Sequence, residues 1–245
     1  VQGAQLEVIS LAELGAIAAI DERRVQLQVG DEVTAWVTEG VMVGQISPSR
    51  LYDLRPDLRL IALLARLKER NAESLFGAVA AELGREGITV LPSTTFLEDY
   101  LPGPGPVFGP KLNESGLEDA AFGIRLAKKV SRLDIGQSVV VREGTVLAVE
   151  AFEGTNKCVQ RGGELGKGKH VKLVKVSKPD QDLRFDVPVV GPHTIRACQE
   201  AGVSAVIIEA HQTLLLGMEE VKGLCEQHRI SLHAVDAGDS GAGAC

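Results

Sequence analysis

Short apolar runs alternate with segments of helical periodicity along the first hundred residues of the chain. The apolar runs predict strands, and apolar residues at three- and four-residue spacing predict helices. The predicted strands are 5–10, 38–46 and 87–91, and the predicted helices are 58–68, 73–86 and 96–101. Strands that alternate with helices in this way indicate an α/β fold with mainly parallel strands.

A stretch rich in proline and glycine follows this alternation. It begins with Pro102-Gly-Pro-Gly-Pro106, and repeated prolines and glycines interrupt both helices and strands. The pattern therefore predicts a linker over 102–110. We expect two domains, an N-terminal domain over 1–101 and a second domain over 111–235. The glycine-rich residues 236–245 are expected to form a disordered tail.

The second domain shows the same alternation and adds one hairpin. The turn Arg142-Glu-Gly-Thr145 predicts that strands 137–142 and 146–151 pair as antiparallel neighbours. The other predicted strands are 171–176, 203–209 and 230–235, and the predicted helices are 117–130, 153–165, 191–201 and 218–228. An antiparallel hairpin among βα units predicts an α/β domain with a mixed sheet.

Composition narrows the classes of function. The chain has 245 residues, of which 44% are hydrophobic, so it can bury one large core or two ordinary ones. Its net charge of −7 argues against nucleic acid as the main partner, because phosphate backbones need a basic surface. No apolar run is long enough to span a bilayer, and no signal peptide is visible in the sequence.

The cysteines and histidines do not form a metal-binding pattern. Cys158, Cys198, Cys225 and Cys245 lack any CxxC spacing, and the five histidines are dispersed. This spacing predicts neither a zinc site nor a disulfide framework, and a cytosolic protein with buried free thiols is the simpler interpretation. A bound metal would then be a hard cation held by carboxylates.

The densest chemistry lies in segment 175–188, where the predicted strand 171–176 ends. The segment carries Lys175, Lys178, Gln181, Asp182, Arg184 and Asp186. Loops at strand ends commonly bind ligands in α/β proteins. Cations suit phosphate oxygens, and carboxylates suit a divalent metal or an attacking water. A solvated charged loop is the plainer alternative, but Pro179 and Pro188 stiffen this segment and favour an anchored site.

A second candidate site is Glu153-Gly154-Thr155, which follows a predicted strand and opens a predicted helix. The start of a helix presents backbone N–H groups and a positive dipole end, which favour phosphate. Gly154 allows a ligand to approach the backbone, and Thr155 supplies a hydroxyl group. The alternative is an ordinary helix start, with Thr155 as the N-cap and Glu153 exposed.

Longer motifs connect these two sites to a known family. The run from Lys175 to Gly191, which includes KPDQDLRFDVP, the Glu153-Gly154-Thr155 triplet and the segment 209–216 form one pattern. That pattern resembles the UDP-2,3-diacylglucosamine pyrophosphatases of lipid A synthesis, in the family unrelated to calcineurin-like phosphoesterases. The resemblance extends over about 33–235 and includes the segments 54–57, 65–71, 93–97 and 134–141.

This resemblance implies hydrolysis of the pyrophosphate of UDP-2,3-diacylglucosamine to UMP and 2,3-diacylglucosamine 1-phosphate, with Mg²⁺ as cofactor. It implies an N-terminal Rossmann-like domain and a C-terminal catalytic domain. Asp186 is the expected essential carboxylate, and Asp182 and Glu153 are the next candidates for the metal. Binding of the phosphate or substrate is expected from Lys175, Lys178, Arg184, Gln181, Thr155 and Gly154.

The resemblance also implies partners and a location. The expected partner is the acylated UDP-sugar, with no nucleic acid, and a homodimer is expected. Because an acylated substrate resides in a membrane leaflet, we expect a cytoplasmic enzyme that transiently contacts the inner face of the bacterial inner membrane.

Two alternatives from other classes remain open. Val1 stands where the second strand of the family should begin, so the first strand and the glycine-rich loop are expected to be missing. A catalytically impaired homologue would then bind a nucleotide-sugar lipid, or its phosphate product, without turnover. The other alternative is an interaction protein, in which the charged segment is a structural turn and Asp186 pairs with Arg184.

Overall fold

The computed structural model describes residues 20–21, 24–26, 36–42, 72–179 and 181–237. The chain divides into two compact units, Val1–Ser93 and Thr94–Cys245. The predicted strand 5–10, the predicted helix 58–68 and most of the predicted tail lie outside the described residues. Among the described residues, no helix is both long and apolar enough to cross a membrane.

The described residues of the first unit form two small sheets and one helix. Strands β1 (Ile20–Asp21), β2 (Arg24–Gln26) and β3 (Trp36–Val37) pair antiparallel. Strand β4 (Glu39–Val41) pairs parallel with β5 (Thr89–Leu91), and helix α1 (Ala72–Arg85) precedes β5. The predicted helix 73–86 and the strand core of 87–91 are therefore confirmed. The Rossmann-like character of this domain stays a prediction.

The predicted helix 96–101 is reduced to the single 3₁₀ turn Glu98–Tyr100, which belongs to the second unit. Phe96 has a φ of 66°, which lies in the left-handed region and cannot continue an α-helix. Pro102 follows directly and disfavours helical backbone at the residue before it, so an α-helix is restricted at both ends.

A six-stranded mixed sheet is the centre of the second unit. Its strands are β6 (Gly105–Phe108), β7 (Ser138–Arg142), β8 (Thr145–Val149), β9 (Val171–Lys175), β11 (Val203–Glu209) and β13 (Ser231–Val235). The order across the sheet is β6-β13-β11-β9-β7-β8. Strands β9, β11 and β13 run parallel, whereas β6, β7 and β8 pair antiparallel with their neighbours. The predicted mixed sheet and its hairpin are confirmed.

Helices cover both faces of this sheet. Helix α2 (Glu114–Arg132) packs on one face, and α3 (Thr155–Leu165), α4 (Pro192–Glu200) and α5 (Met218–His228) pack on the other. Successive strand residues point to opposite faces, so Val139 and Val141 join the core under α2 while Val140 joins the other core. Strands buried on both faces explain the nearly continuous apolar runs in the sequence.

The segment expected to be a linker, 102–110, contains the edge strand β6, which pairs antiparallel with β13. Proline lacks a backbone N–H and is tolerated only where one side of a strand has no partner, which is an edge position. Pro106 faces His233 at that edge. A proline-rich segment can thus form either a linker or an edge strand, and residues 105–108 form an edge strand. Two further short strands that the sequence did not indicate, β10 (Val189–Val190) and β12 (Leu214–Leu215), pair parallel.

Candidate functional site

The two segments selected from the sequence meet at one edge of the large sheet. Lys175, the last residue of β9, lies opposite Ser138, the first residue of the antiparallel β7. The backbone N–H of Glu150, just after β8, donates to the carbonyl of Ser138 at 2.9 Å. Segments 150–155 and 175–186 therefore both start from the edge that holds the carboxyl ends of the parallel strands, where α/β proteins bind ligands.

Gly154 and Thr155 form the start of helix α3 at this edge. Gly154 is the N-cap, with a φ of 82° that favours glycine, and a side chain there would meet no atom within 4 Å. Thr155 is therefore the first helical residue rather than the cap. Its hydroxyl donates to Oε1 of Glu150 at 2.7 Å and lies 3.5 Å from the hydroxyl of Ser138.

Glu153, which lies just before helix α3, is held by an arginine of that helix. Its Oε1 lies 2.5 Å from Nη2 of Arg161, and its Oε2 accepts a hydrogen bond from the N–H of Ala151 at 3.1 Å. The backbone N–H of Glu153 and the Arg161 guanidinium both lower the pKa of this carboxyl group. Both carboxylate oxygens thus already have donors, and the predicted role of Glu153 as a metal ligand stays a prediction.

Lys175 is within electrostatic range of two carboxylates, Glu150 and Asp186. Burial lowers the pKa of its ammonium group, and the charges of Glu150 and Asp186 oppose that effect. Its Nζ donates to the carbonyl of Val189 at 3.1 Å. The structure thus places a half-buried cation near the predicted essential carboxylate, Asp186, which is itself exposed.

The first part of the charged loop is fixed by contacts from both sides. The ammonium group of Lys178 forms an ion pair with Asp134, in the loop before β7. The backbone N–H of Lys178 donates to Oε1 of Gln181 at 2.7 Å. The other end of that amide, Nε2 of Gln181, is buried and has no hydrogen-bond partner among the described residues. A buried donor of this kind is stabilised by an acceptor, such as a phosphate oxygen or a water molecule.

The second part of the loop forms a tight turn around an ion pair. Asp182 accepts from Nε of Arg184 at 2.9 Å and from Nη2 at 2.6 Å, and the Arg184 guanidinium lies 5.3 Å from the ring centre of Phe185. The hydrogen bond from Arg184 lowers the pKa of Asp182. The interaction-protein alternative expected Arg184 to pair with Asp186, whereas Arg184 forms its ion pair with Asp182. The N–H of Asp186 donates to the carbonyl of Asp182 at 3.0 Å and closes the turn.

Sequence reasoning did not select two carboxylates that the structure places at this edge. Glu209, the last residue of β11, accepts from the N–H and the hydroxyl of Ser177 at 2.9 and 2.8 Å, and its Oε1 lies 2.6 Å from Nζ of Lys128. Glu150 accepts from Thr155, as described above. Both glutamates end an apolar strand, and that position was the signal available in the sequence.

No group of three or more histidine, cysteine, aspartate or glutamate side chains in the described residues is arranged to hold a metal ion. The carboxylates instead occur singly or in pairs with cations. Asp182 and Glu153 each have an arginine partner, whereas one carboxylate oxygen, Oε2 of Glu150, is buried and has no hydrogen-bond partner among the described residues.

Comparison with known proteins gives two family-model matches. A model described as the LpxI C-terminal domain matches residues 103–233, and one described as the LpxI N-terminal domain matches residues 33–100. The UDP-2,3-diacylglucosamine pyrophosphatase LpxI of Caulobacter vibrioides is 29% identical over 203 residues, which are 79% of this chain and 72% of that protein. The resemblance drawn from the sequence motifs is confirmed by these matches.

Proposed function

Because the chain belongs to the LpxI family, we propose that it hydrolyses the pyrophosphate bond of UDP-2,3-diacylglucosamine, giving UMP and 2,3-diacylglucosamine 1-phosphate. Water supplies the oxygen that joins one phosphorus, and the bridging P–O bond breaks. The single observation that supports this proposal best is that Lys175, at the carboxyl end of β9, lies opposite Ser138 of β7, which brings the charged loop and the start of α3 to the same edge of the sheet.

Hydrolysis of a pyrophosphate depends on neutralising phosphate charge and on aligning the attacking water, more than on covalent chemistry by the protein. In the proposed site Lys175, Lys178 and Arg184 attract phosphate oxygens. Because Lys178 and Arg184 have carboxylate partners, a phosphate would share these cations or displace the carboxylates. A bidentate guanidinium such as that of Arg184 is well suited to this exchange.

Neutral groups complete the proposed phosphate contacts. The buried Nε2 of Gln181 donates to a phosphate oxygen, which would satisfy a donor that has no other partner among the described residues. Gly154 leaves open space where the phosphate can approach the start of helix α3. The Thr155 hydroxyl already donates to Glu150. The proposed contribution of Thr155 to phosphate binding is therefore its place in the first turn of the helix rather than its hydroxyl.

Asp186 is the proposed essential carboxylate, which orients the water or binds Mg²⁺. The buried Oε2 of Glu150, which has no hydrogen-bond partner among the described residues, supports this proposal because a carboxylate oxygen suits a hard cation. Mg²⁺ commonly takes one or two carboxylates together with substrate phosphates, so these residues fit the ion, with Asp182 and Glu153 as further candidates. When bound, Mg²⁺ would neutralise the charge that develops on the phosphate oxygens.

The wider setting follows from the acylated substrate. We propose a cytoplasmic enzyme that contacts the inner face of the bacterial inner membrane transiently, since its substrate resides there. A homodimer and a Rossmann-like N-terminal domain are part of the same proposal.

UMP release tests this function. The full chain is incubated with UDP-2,3-diacylglucosamine in detergent micelles, with Mg²⁺ or with excess chelator, and nucleotide products are separated. The expected result is Mg²⁺-dependent formation of UMP and of lipid 1-phosphate in equal amounts. Binding of the lipid nucleotide without any product would reject hydrolysis and would support the impaired homologue.

A further inference from the structure

We propose that Glu150 is a ligand of the divalent cation, with Thr155 as the residue that positions it. This inference deepens the proposed function and rests on it. The motifs that indicated the site did not include Glu150, and its assignment comes from the contacts of its two carboxylate oxygens.

The two oxygens of Glu150 have different environments. Oε1 accepts the hydroxyl hydrogen of Thr155 at 2.7 Å, so one side of the carboxylate is fixed by the first turn of α3. Oε2 is buried and has no hydrogen-bond partner among the described residues. Burying a carboxylate oxygen without a hydrogen-bond partner is unfavourable, because the oxygen loses its hydrogen bonds to water and no other contact replaces them. A bound cation would satisfy it.

Lys175 does not provide that contact. The charge of Glu150 acts on Lys175, but Nζ of Lys175 donates to the carbonyl of Val189. Ser138 lies beside Thr155, with the two hydroxyl oxygens 3.5 Å apart, and it does not hydrogen-bond to Oε2 of Glu150. Glu150 is thus oriented by its neighbours on one oxygen and left unpaired on the other.

The surroundings favour a cation over a lone water at Oε2. The charges of Glu150 and Asp186 both raise the pKa of Lys175, so both carboxylates interact with the same ammonium group. Gln181 provides the complementary feature at the same edge, a buried amide donor without an acceptor among the described residues. A divalent cation bound to a phosphate supplies a positive partner for Glu150 and a negative one for Gln181. A water at Oε2 would leave the need for charge neutralisation unmet.

Backbone packing keeps Glu150 in place. A side chain at Gly136 would put its Cβ 2.1 Å from the carbonyl oxygen of Glu150, so only glycine allows the loop before β7 to approach so closely. The N–H of Glu150 is bound by Ser138. The residue is therefore held by its backbone as well as by Thr155, as expected for a preorganised ligand.

Direct metal binding tests the assignment. The full chain is titrated with Mn²⁺, and free Mn²⁺ is followed by its electron paramagnetic resonance signal, alone and with UMP. Glu150→Gln keeps the size and the acceptor for Thr155 but removes the charge. We expect its affinity for Mn²⁺ to fall at least about tenfold, since even groups that only orient metal ligands cost roughly 10–100-fold when lost. Glu164→Gln, at an exposed glutamate of helix α3, is the control and should bind Mn²⁺ like the wild type.

Three further variants separate binding from folding. Thr155→Val removes the hydroxyl that positions Glu150 and should weaken Mn²⁺ binding less than Glu150→Gln, and Thr155→Ser should restore it. Glu150→Asp keeps the charge and should bind Mn²⁺ more tightly than Glu150→Gln. If Glu150→Gln does not fold, Glu150→Asp still tests the assignment. Its affinity for Mn²⁺ should be lower than that of the wild type, whereas Glu164→Gln should bind Mn²⁺ like the wild type.

The outcomes distinguish this inference from the proposed function. Wild-type Mn²⁺ affinity in Glu150→Gln would overturn the assignment, even if the wild type releases UMP normally. Conversely, weaker Mn²⁺ binding in Glu150→Gln together with a wild type that releases no UMP would support the metal site and reject the hydrolysis.

Discussion

The ammonium group of Lys128 lies 2.6 Å from Oε1 of Glu209, and this salt bridge links helix α2 to the end of strand β11. The same carboxylate accepts two hydrogen bonds from Ser177, whose neighbour Lys178 begins the charged loop. Lys128 also donates to the carbonyl of Ser177 at 3.1 Å. Three elements thus meet at one buried carboxylate, and the network fixes the point at which the loop leaves the sheet.

Replacing Glu209 is therefore expected to destabilise the protein strongly. Glu209→Ala leaves the Lys128 charge and the Ser177 donors without their acceptor, which costs about 3 kcal/mol or more in a largely buried pair. Urea unfolding at neutral pH measures the loss. Glu200→Ala, at an exposed residue that ends α4, is the control and should change the free energy of unfolding little. Equal stabilities of the two variants would contradict the importance of the network.

The sequence predicted the parts of the fold that depend on local pattern. Apolar runs such as 171–176 and 203–209 became β9 and β11, because strands covered on both faces require continuous apolar residues. The two-residue strands β10 and β12 could not be predicted, since their paired residues are 25 positions apart in the sequence and neither strand has a pattern of its own. The strand at Gly105–Phe108 was missed because proline marks linkers and edge strands alike.

The candidate site could likewise be predicted only in part. The chemical character of Lys175, Asp182 and Arg184 could be taken directly from the sequence. Their partners could not, because the sequence places two carboxylates equally near Arg184 and the structure pairs it with Asp182. The pairing of Lys178 with Asp134 joins residues 44 positions apart, and it depends on the order of strands in the sheet.

Asp119 should make the free energy of unfolding depend on pH in the acid range. It lies 2.7 Å from Nζ of Lys172 and accepts the N–H groups of Glu143 and Gly144 at 2.9 and 2.8 Å. Burial alone would raise its pKa, but the hydrogen bonds from Lys172 and the two N–H groups outweigh this and lower it. A carboxyl group with a lowered folded-state pKa stabilises above its unfolded pKa of about 3.9, and this contribution is lost as pH falls through the folded value.

Asp119→Asn removes that contribution and leaves Lys172 buried without its counter-charge. We expect a loss of about 3 kcal/mol near neutral pH, which shrinks as the pH falls below about 4. Urea unfolding over a pH series measures it, with Asp99→Asn as the exposed control. A difference between Asp119→Asn and the wild type that stays constant down to low pH would refute the assignment.

Gly162 in helix α3 should be intolerant of a side chain. A Cβ there would lie 2.5 Å from Cβ and Cγ1 of Val140 on strand β7, so the helix could not pack as closely. We expect Gly162→Ala to destabilise by about 1–3 kcal/mol. Gly223 in helix α5 is the matched comparison, because a Cβ there meets no atom within 4 Å. Gly223→Ala should stabilise by about 0.5–1 kcal/mol, and thermal or urea unfolding should show opposite signs for the two substitutions.

The three described cysteines should be unreactive in the folded protein. Cys158, Cys198 and Cys225 are buried and free. Burial raises the pKa of Cys158 to about 12 and that of Cys225 to about 11, and it also raises the pKa of Cys198. Because the thiolate is the reactive form, a Cys245→Ala protein should react with a thiol reagent only after unfolding. Rapid labelling of the native variant would contradict this prediction.

Asp186 provides the sharpest test of the proposed chemistry. It is exposed and ends a turn that is held by its own backbone N–H and by the Asp182–Arg184 pair, so its side chain carries little of the fold. Asp186→Ala and Asp186→Asn should therefore unfold at the same urea concentration as the wild type while UMP release falls by about 10²-fold or more, as expected for loss of one preorganised charged group. Asp182→Ala should differ, because it also releases Arg184 and so should weaken substrate binding. Wild-type turnover by Asp186→Ala would show that another carboxylate at this edge orients the water.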